Sequence, residues 1–345
     1  MTSTTDAASQ GQANGLRTEG TVSLAHAAAR PAGDLLIVIP DAESEADAAA
    51  FRRCFADQAP AGIALRVHVG EPGTPAAWAE LVADADAIIL NWKLPDHALD
   101  AAGRLRVVSF LGTGAADHLD LALAEERGID VRTVSGYSND AVAEHTLGLL
   151  LALARGTVAR NRELRAGNWQ PETGMQLAGK RLGLIGYGGI GQRVAELGTA
   201  FGMEVLAWTR SGRVSGPARS AELVEVLETS DVVSLHLALT PETTGFIDAA
   251  ALAKLRPGAL LVNTARGALV DEAAVLAALE SGALGGYATD VFAVEPVAPE
   301  HAIVAHPRVV ATPHIGYATA DAEAELLRRG VANAIAGLDA SPTTP

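Results

Sequence analysis

Three polar residues stand where apolar runs end. Arg266 follows "ALLVNTA" and precedes Gly267, Glu295 lies in "ATDVFAVEP", and His314 lies in "ATPHIG". A guanidinium can grip a carboxylate through two parallel hydrogen bonds. An imidazole can give or take a proton near neutral pH, and a carboxylate beside it favours the charged ring. Together, such groups can hold an anionic substrate and move a proton onto or off it. Each alone is explained as well by a solvated surface position.

A second constellation is built from glycine. "LGLIGYGGIGQRVAELGTAFG" holds Gly186, Gly188 and Gly191 in the spacing G-x-G-x-x-G. The spacing alone is a weak signal, but an apolar strand precedes it and an amphipathic helix follows, with Val194, Leu197 and Phe201 on one side. In that setting Gly186 permits a tight turn, Gly188 lets backbone approach a pyrophosphate, and Gly191 lets helix and strand pack closely. The helix start offers free N–H groups and the positive end of its dipole to phosphate. The pattern predicts a dinucleotide site. The next strand, "EVLAW", should end on an acid that holds the adenine ribose. Thr209 stands there instead, followed by Arg210 and Arg213. With no carboxylate to repel a 2′-phosphate and a guanidinium to pair with it, NADP is the preferred cofactor and NAD the alternative.

These groups need elements to carry them. From Asp34, short β-rich runs ("DLLIVI", "DAIIL", "RLRVVSF", "DVRTV") alternate with helical stretches. A second series starts at Arg181: "RLGLIG", "EVLAW", "DVVSL", "ALLVN", "GYATDV" and "RVVAT". Such alternation predicts an α/β fold with two Rossmann-like doubly wound parallel sheets. In that architecture ligands sit outside the carboxyl ends of the strands, so Arg266, Glu295 and His314 should face the nicotinamide cleft. Asp271 should cap the helix "DEAAVLAALESG", with Gly282 just past its end. A long helical stretch, 140–167, joins the two series, and its apolar surface is broad enough for either internal burial or a second subunit.

Bulk composition narrows the classes. The chain has 345 residues, 49% of them apolar, which suits two folded domains rather than a disordered chain. A net charge of -15 disfavours nucleic acid and anionic membrane as partners. Cys54, the single cysteine, excludes an internal disulfide and a thiolate metal cluster, and no metal site is expected. Residues 1–33 are rich in Ser, Thr, Gln, Gly and Ala and read as a disordered tail. A cytoplasmic location is expected.

In order along the chain stand "GYSNDAVAEHTLGLLLAL", "GLIGYGGIGQRVA", "HLALTPETTGFI", "LRPGALLVNTARGALVDEAAVLAAL", "GYATDVFAVEP" and "TPHIGYAT". This series resembles the D-isomer-specific 2-hydroxyacid dehydrogenases, from about Asp34 to about Leu338. The resemblance implies that Arg266 binds the substrate carboxylate and carbonyl oxygen, that Glu295 pairs with the histidine, and that His314 is the acid/base. It implies that Asp290 contacts the nicotinamide carboxamide and that His236 lines the cofactor pocket. Tyr187, Gly189, Ile190, Thr243 and Thr264 complete the expected cofactor site. By analogy with the family loop, Gly112, Thr113 and Gly114 cradle the carboxylate as an anion nest. Trp92 either walls the side-chain pocket or fills core.

The implied arrangement is a discontinuous substrate domain, 34–135 plus 315–340, around a dinucleotide-binding domain, 136–314. The implied reaction is interconversion of a small 2-oxo acid, of the glyoxylate or hydroxypyruvate type, with its D-2-hydroxy acid. Two alternatives share the pattern: a NAD-linked dehydrogenase working oxidatively, and a dinucleotide-sensing corepressor-like module. A homodimer is the family expectation.

Overall fold

The strands anticipated after Asp34 form the first of two parallel sheets. The computed structural model describes residues 34–298 and 300–339, so the expected tail lies outside the described residues. The first sheet holds β1 (Leu35–Ala42), β2 (Ile63–Val69), β3 (Ala87–Leu90), β4 (Val107–Phe110) and β5 (Asp130–Thr133), in the order β2-β1-β3-β4-β5. Its helices are α1 (Glu45–Gln58), α2 (Pro75–Val82), α3 (Asp96–Ala101) and α4 (Leu121–Glu126). Ser44, Thr74 and Asp120 cap α1, α2 and α4 through side chains that accept backbone N–H groups. β2, "IALRVHV", stands outside the runs read from the sequence. It is an edge strand, half-buried throughout, and Arg66 and His68 interrupt its apolar character.

The linking stretch is two helices, not one. α5 (Asn139–Ala154) and α6 (Thr157–Arg165) meet at Gly156, whose φ of 60° no continuing helix adopts. α5 buries Val142, Leu147 and Leu150, whereas α6 buries no residue at all.

The second sheet follows, with β6 (Arg181–Ile185), α7 (Gly189–Ala200), β7 (Glu204–Trp208), β8 (Arg219–Ser220), α8 (Leu223–Thr229) and β9 (Val232–Leu235). It continues through α9 (Ala249–Leu252), β10 (Ala259–Asn263), α10 (Glu272–Ser281), β11 (Leu284–Thr289), α11 (Ala302–Ala305) and β12 (Val309–Ala311). The strand order is β12-β11-β10-β9-β6-β7-β8, with every pairing parallel. Asp271 caps α10 and Gly282 ends it in the left-handed conformation, as the sequence predicts. On α7, Val194 is buried and Leu197 packs against the core, but Phe201 at the helix end is exposed.

The last helix, α12 (Ala320–Asp339), returns to the first sheet. Gly330 carries the contact: its carbonyl accepts from the buried Ser109 hydroxyl at 2.9 Å, and a side chain there would strike Leu111. Val331 and Ala334 join Ile37, Ile39 and Val107 in one core. The first α/β domain is therefore discontinuous, completed by α12, and both domains have the Rossmann-like doubly wound form.

Candidate active site

Both sheets reverse direction once, and a crevice opens at each reversal. In the second sheet it lies between β6 and β9. Gly186 leaves β6 with φ 100°, and a Cβ there would lie 2.3 Å from the His236 carbonyl oxygen, so only glycine fits. A Cβ on Gly191 would meet the Gly186 carbonyl at 2.6 Å, which is the close helix–strand approach the motif requires. Gly188 is different: nothing lies within 4 Å of the space its Cβ would take. No side chain caps α7, so its first N–H groups face that open space. The open space at Gly188 and the uncapped helix start suit the approach of a phosphate group.

The other expected cofactor residues surround the turn. Tyr187 is largely buried, its hydroxyl donating to the Ser215 carbonyl at 2.5 Å, and Ile190 packs beside it in the same core. Gly189 starts α7 against the Asn139 side chain. Thr209 directly follows β7, and Arg210 and Arg213 are exposed beyond it. His236 bonds Ser234 Oγ at 3.0 Å, and burial pushes its imidazole down to about 4, so it is neutral at physiological pH. The Thr243 hydroxyl donates to the Ala238 carbonyl at 2.8 Å and accepts from the Thr240 N–H at 2.7 Å, shaping the loop after β9. Thr264 is buried and bonded to Thr146 of α5 at 2.7 Å.

The three chemistry-bearing residues leave β10, β11 and β12 in turn. His314 Nδ1 lies 2.7 Å from Glu295 Oε2. The other carboxylate oxygen, Oε1, accepts the Phe292 N–H at 2.8 Å, which fixes the acid's orientation. Arg266 is exposed and forms no ion pair among the described residues; its only side-chain bond is to the Ala265 carbonyl at 2.7 Å. Gly267 explains the Arg-Gly pair. A Cβ there would stand 1.9 Å from the Phe292 carbonyl carbon, so the Arg266 turn is seated directly on the loop that leads to Glu295. Tyr137 links the cleft to the first domain. Burial pushes its phenol up, and a hydrogen bond with Ser138 and, more weakly, the positive Arg266 oppose the rise.

Asp290 is almost fully buried, and its carboxylate organises the segment that holds His314. Oδ1 accepts the Thr312 hydroxyl at 2.6 Å and the Ile315 N–H at 3.0 Å, and Oδ2 accepts the Gly316 N–H at 2.8 Å. His145 of α5 lies 3.3 Å from Oδ1 and bonds Thr312 at 2.9 Å. Burial alone would raise the Asp290 carboxyl, but these donors outweigh it and hold it below the ordinary range. His145, Thr312 and Asn263, which donates to the Arg266 carbonyl at 2.9 Å, were given no role from sequence. The "AEHT" stretch carried the one usable signal, an imidazole on a largely apolar helix face.

In the first domain, Gly112 to Gly114 follow β4. The Gly112 N–H already donates to the Phe110 carbonyl at 2.9 Å, so the proposed nest narrows to Thr113 and Gly114. Trp92 follows β3 and is 55% exposed, which removes the core-filling reading.

Comparison with known proteins meets this geometry at one point. A sequence profile described as D-isomer specific 2-hydroxyacid dehydrogenase, NAD binding domain, matches residues 147–316. A glyoxylate reductase of Thermofilum pendens is 37% identical over 270 residues, covering 74% of this chain and 79% of its own. The chain belongs to the D-isomer-specific 2-hydroxyacid dehydrogenase family. A hydroxypyruvate reductase of Thermotoga maritima is 36% identical over 251 residues, 71% of this chain and 82% of its own. Among solved structures, a Thermus thermophilus protein superimposes with a TM-score of 0.77 at 36% identity, over 90% of this chain and 99% of that one. The chain is accordingly an oxidoreductase of this family with a nicotinamide-nucleotide-binding domain. No helix among the described residues is long and apolar enough to cross a membrane.

Proposed function

We propose that this dehydrogenase reduces a small 2-oxo acid, of the glyoxylate or hydroxypyruvate type, to its D-2-hydroxy acid with NADPH. The observation that carries the reading is the 2.7 Å His314–Glu295 pair, with Arg266 on a neighbouring strand end forming no ion pair among the described residues. Arg266 grips the carboxylate and the carbonyl oxygen, and the Thr113 and Gly114 N–H groups complete the carboxylate site. The cofactor supplies the hydride that reaches the carbonyl carbon. His314 holds a proton on its free ring nitrogen and delivers it to the carbonyl oxygen, and Glu295 keeps the ring oriented and stabilises its charge. Arg266 also stabilises the negative charge that grows on that oxygen. In oxidation the same imidazole accepts the proton.

NADP preference rests on the segment after β7, where Thr209 replaces a carboxylate and the exposed guanidiniums of Arg210 and Arg213 form no ion pair among the described residues. A neutral His236 suits a wall of the nicotinamide pocket. The substrate domain, 34–135 plus 315–340, contributes Trp92, Thr113 and Gly114, and the dinucleotide-binding domain, 136–314, contributes the cofactor turn together with Arg266, Glu295 and His314, with the hinge at the two crossings. A cytoplasmic homodimer is part of the proposal. It is supported by α6, which buries nothing and leaves Val158 and Leu164 exposed, and by Trp169, which is 82% exposed.

Initial rates at 340 nm test the reading, with NADPH or NADH against glyoxylate, hydroxypyruvate, pyruvate and phenylpyruvate. Rapid NADPH oxidation by one of the small acids is expected. Tight cofactor binding with no turnover of any acid would refute it in favour of a sensing module.

A further inference from the structure

Asp41 has no task in the reaction described above, yet it is a buried acid at the carboxyl end of β1, 4% exposed. Both its oxygens accept the Asn91 N–H at 3.1 Å, and Oδ2 accepts the Trp92 N–H at 2.6 Å. No Lys, Arg or His lies within ion-pair distance of it among the described residues. Burial pushes its carboxyl up to about 6 despite those two N–H donors, with Glu71 adding to the rise. A buried carboxylate without a counter-charge is costly to keep.

The local sequence puts it there. Pro40 withholds an N–H from the ladder, and the β1–β2 register shifts between Ile39 and Ala42. After that shift Ala42, not Asp41, continues the core face of Ile37 and Ile39. The bulge has re-aimed Asp41 toward the chain leaving β3. β1 and β3 are neighbours where the first sheet reverses, the crevice at which a doubly wound sheet takes its ligand.

Trp92 is held from two further sides. Its indole N–H donates to Glu43 Oε1 at 3.1 Å, and its carbonyl bonds the His118 imidazole. His118 in turn packs tilted against Phe110, ring centroids 4.5 Å apart, and accepts the Leu94 N–H through its carbonyl at 2.9 Å. A large aromatic ring left in solvent but pinned at backbone and tip is a surface prepared for a contact, not a stray side chain.

We propose that Asp41 is a positioning residue that fixes Trp92 as the wall of the substrate side-chain pocket and so limits the 2-oxo acids accepted to those with short side chains. The inference rests on the reading of the cleft as a 2-oxo acid site. It names the group that sets substrate size in that site.

The test is a double-mutant cycle on the full chain with Asp41→Asn and Trp92→Ala, using NADPH, glyoxylate and phenylpyruvate. Trp92→Ala is expected to raise the phenylpyruvate-to-glyoxylate ratio of kcat/KM by about tenfold or more. Asp41→Asn moves the ratio the same way, mainly through KM, with kcat for glyoxylate within about threefold and NADPH affinity unchanged. The double variant should match Trp92→Ala alone, because without the indole Asp41 has nothing to position. Independent effects that multiply would overturn the proposal, as would an unchanged ratio in Trp92→Ala. Glu43→Gln, which touches only the indole tip, gives a milder shift and guards against poor folding of Asp41→Asn. Acrylamide quenching of the Trp92 signal, isolated by difference from Trp92→Phe, needs no turnover. Greater quenching in Asp41→Asn is expected, and identical quenching refutes the positioning role. A wild type that reduces no 2-oxo acid would defeat the functional reading separately, while the quenching result would still decide the role of Asp41.

Discussion

Asp290→Asn isolates the contacts that hold His314, the proposed acid/base. The wild-type carboxylate receives Thr312, Ile315 and Gly316 from one segment, and His314 sits in its middle with its own N–H donating to the Asp290 carbonyl at 2.8 Å. An asparagine can present only one acceptor oxygen. Its better orientation keeps that oxygen toward Thr312 and Ile315 and turns the amide NH2 toward the Gly316 N–H. One buried N–H is then unpaired, costing about 1–3 kcal/mol, and the two surviving bonds lose their charge, roughly 1 kcal/mol more. A loss near 3 kcal/mol in urea unfolding is expected at pH 7. The Asp290 carboxyl is held below its ordinary value, so its contribution is present above the unfolded pKa, near 3.9, and is lost as pH falls through the folded one. The gap between wild type and variant should stay flat from pH 6 to 8 and narrow only in acid. If His314 is the acid/base as proposed, displacing its imidazole by about 1 Å should also lower kcat on the order of a hundredfold. A stability loss below about 0.5 kcal/mol with kcat unchanged would show that the carboxylate does not organise the His314 segment.

The other predictions follow from single contacts. Arg266→Lys keeps the charge but loses the two-pronged grip, and kcat/KM for the 2-oxo acid should fall about a hundredfold with NADPH affinity unchanged in fluorescence titration. Thr209→Asp places a carboxylate where the ribose phosphate is expected, and the ratio of kcat/KM for NADPH over NADH should drop by about tenfold or more. Gly267→Ala drives a Cβ to 1.9 Å from the Phe292 carbonyl carbon. Backbone on both sides cannot yield by a rotamer change, so about 3 kcal/mol of stability is lost in urea titration, and turnover falls with it. Asp41 reverses the pH trend of Asp290: its folded pKa is raised to about 6, so its contribution is greatest in acid and is lost as pH rises. Relative to Asp41→Asn, wild type should lose about 2 kcal/mol between pH 4 and 7, read by urea unfolding at each pH.

Regular elements and chemistry-bearing residues were legible for different reasons. The buried parallel strands announced themselves because burial on both faces demands continuous apolar runs, and the phosphate turn did because only glycine tolerates the Gly186 conformation and contacts. Edge strand β2 was hidden by Arg66 and His68, which an edge admits and a central strand does not. The break at Gly156 was lost inside an otherwise helical pattern, where one glycine is an ambiguous signal. What the spacing could not reveal was how polar groups are used. Asp290 and Asp41 read as two acids after apolar runs, yet one gathers the His314 segment and the other the Trp92 loop. The Gly112 N–H was expected to face an anion, but it is taken by Phe110, a competition that sequence alone does not display.

The placement of His314 shows how the fold fixes the site. Its φ of 53° is left-handed, a conformation that costs a non-glycine residue about 1–3 kcal/mol unless neighbours hold it. Asp290 supplies that hold: its carbonyl takes the His314 N–H and its carboxylate takes the next two. The Asp290 N–H is itself bonded to the Asn263 carbonyl at 3.0 Å, while the Asn263 side chain accepts the Ala265 N–H and donates to the Arg266 carbonyl. Arg266 and His314 are therefore joined across three adjacent strand ends through backbone bonds and the buried Asn263 and Asp290 side chains. Glu295 is joined to the same frame at Phe292, the residue against which Gly267 is seated. Relative positions set this way depend on buried side chains and backbone, not on exposed flexible groups. The guanidinium, the imidazole and its carboxylate are thus held on one sheet edge, the frame that the proposed closure of the first domain, with Trp92 and the loop after β4, would require.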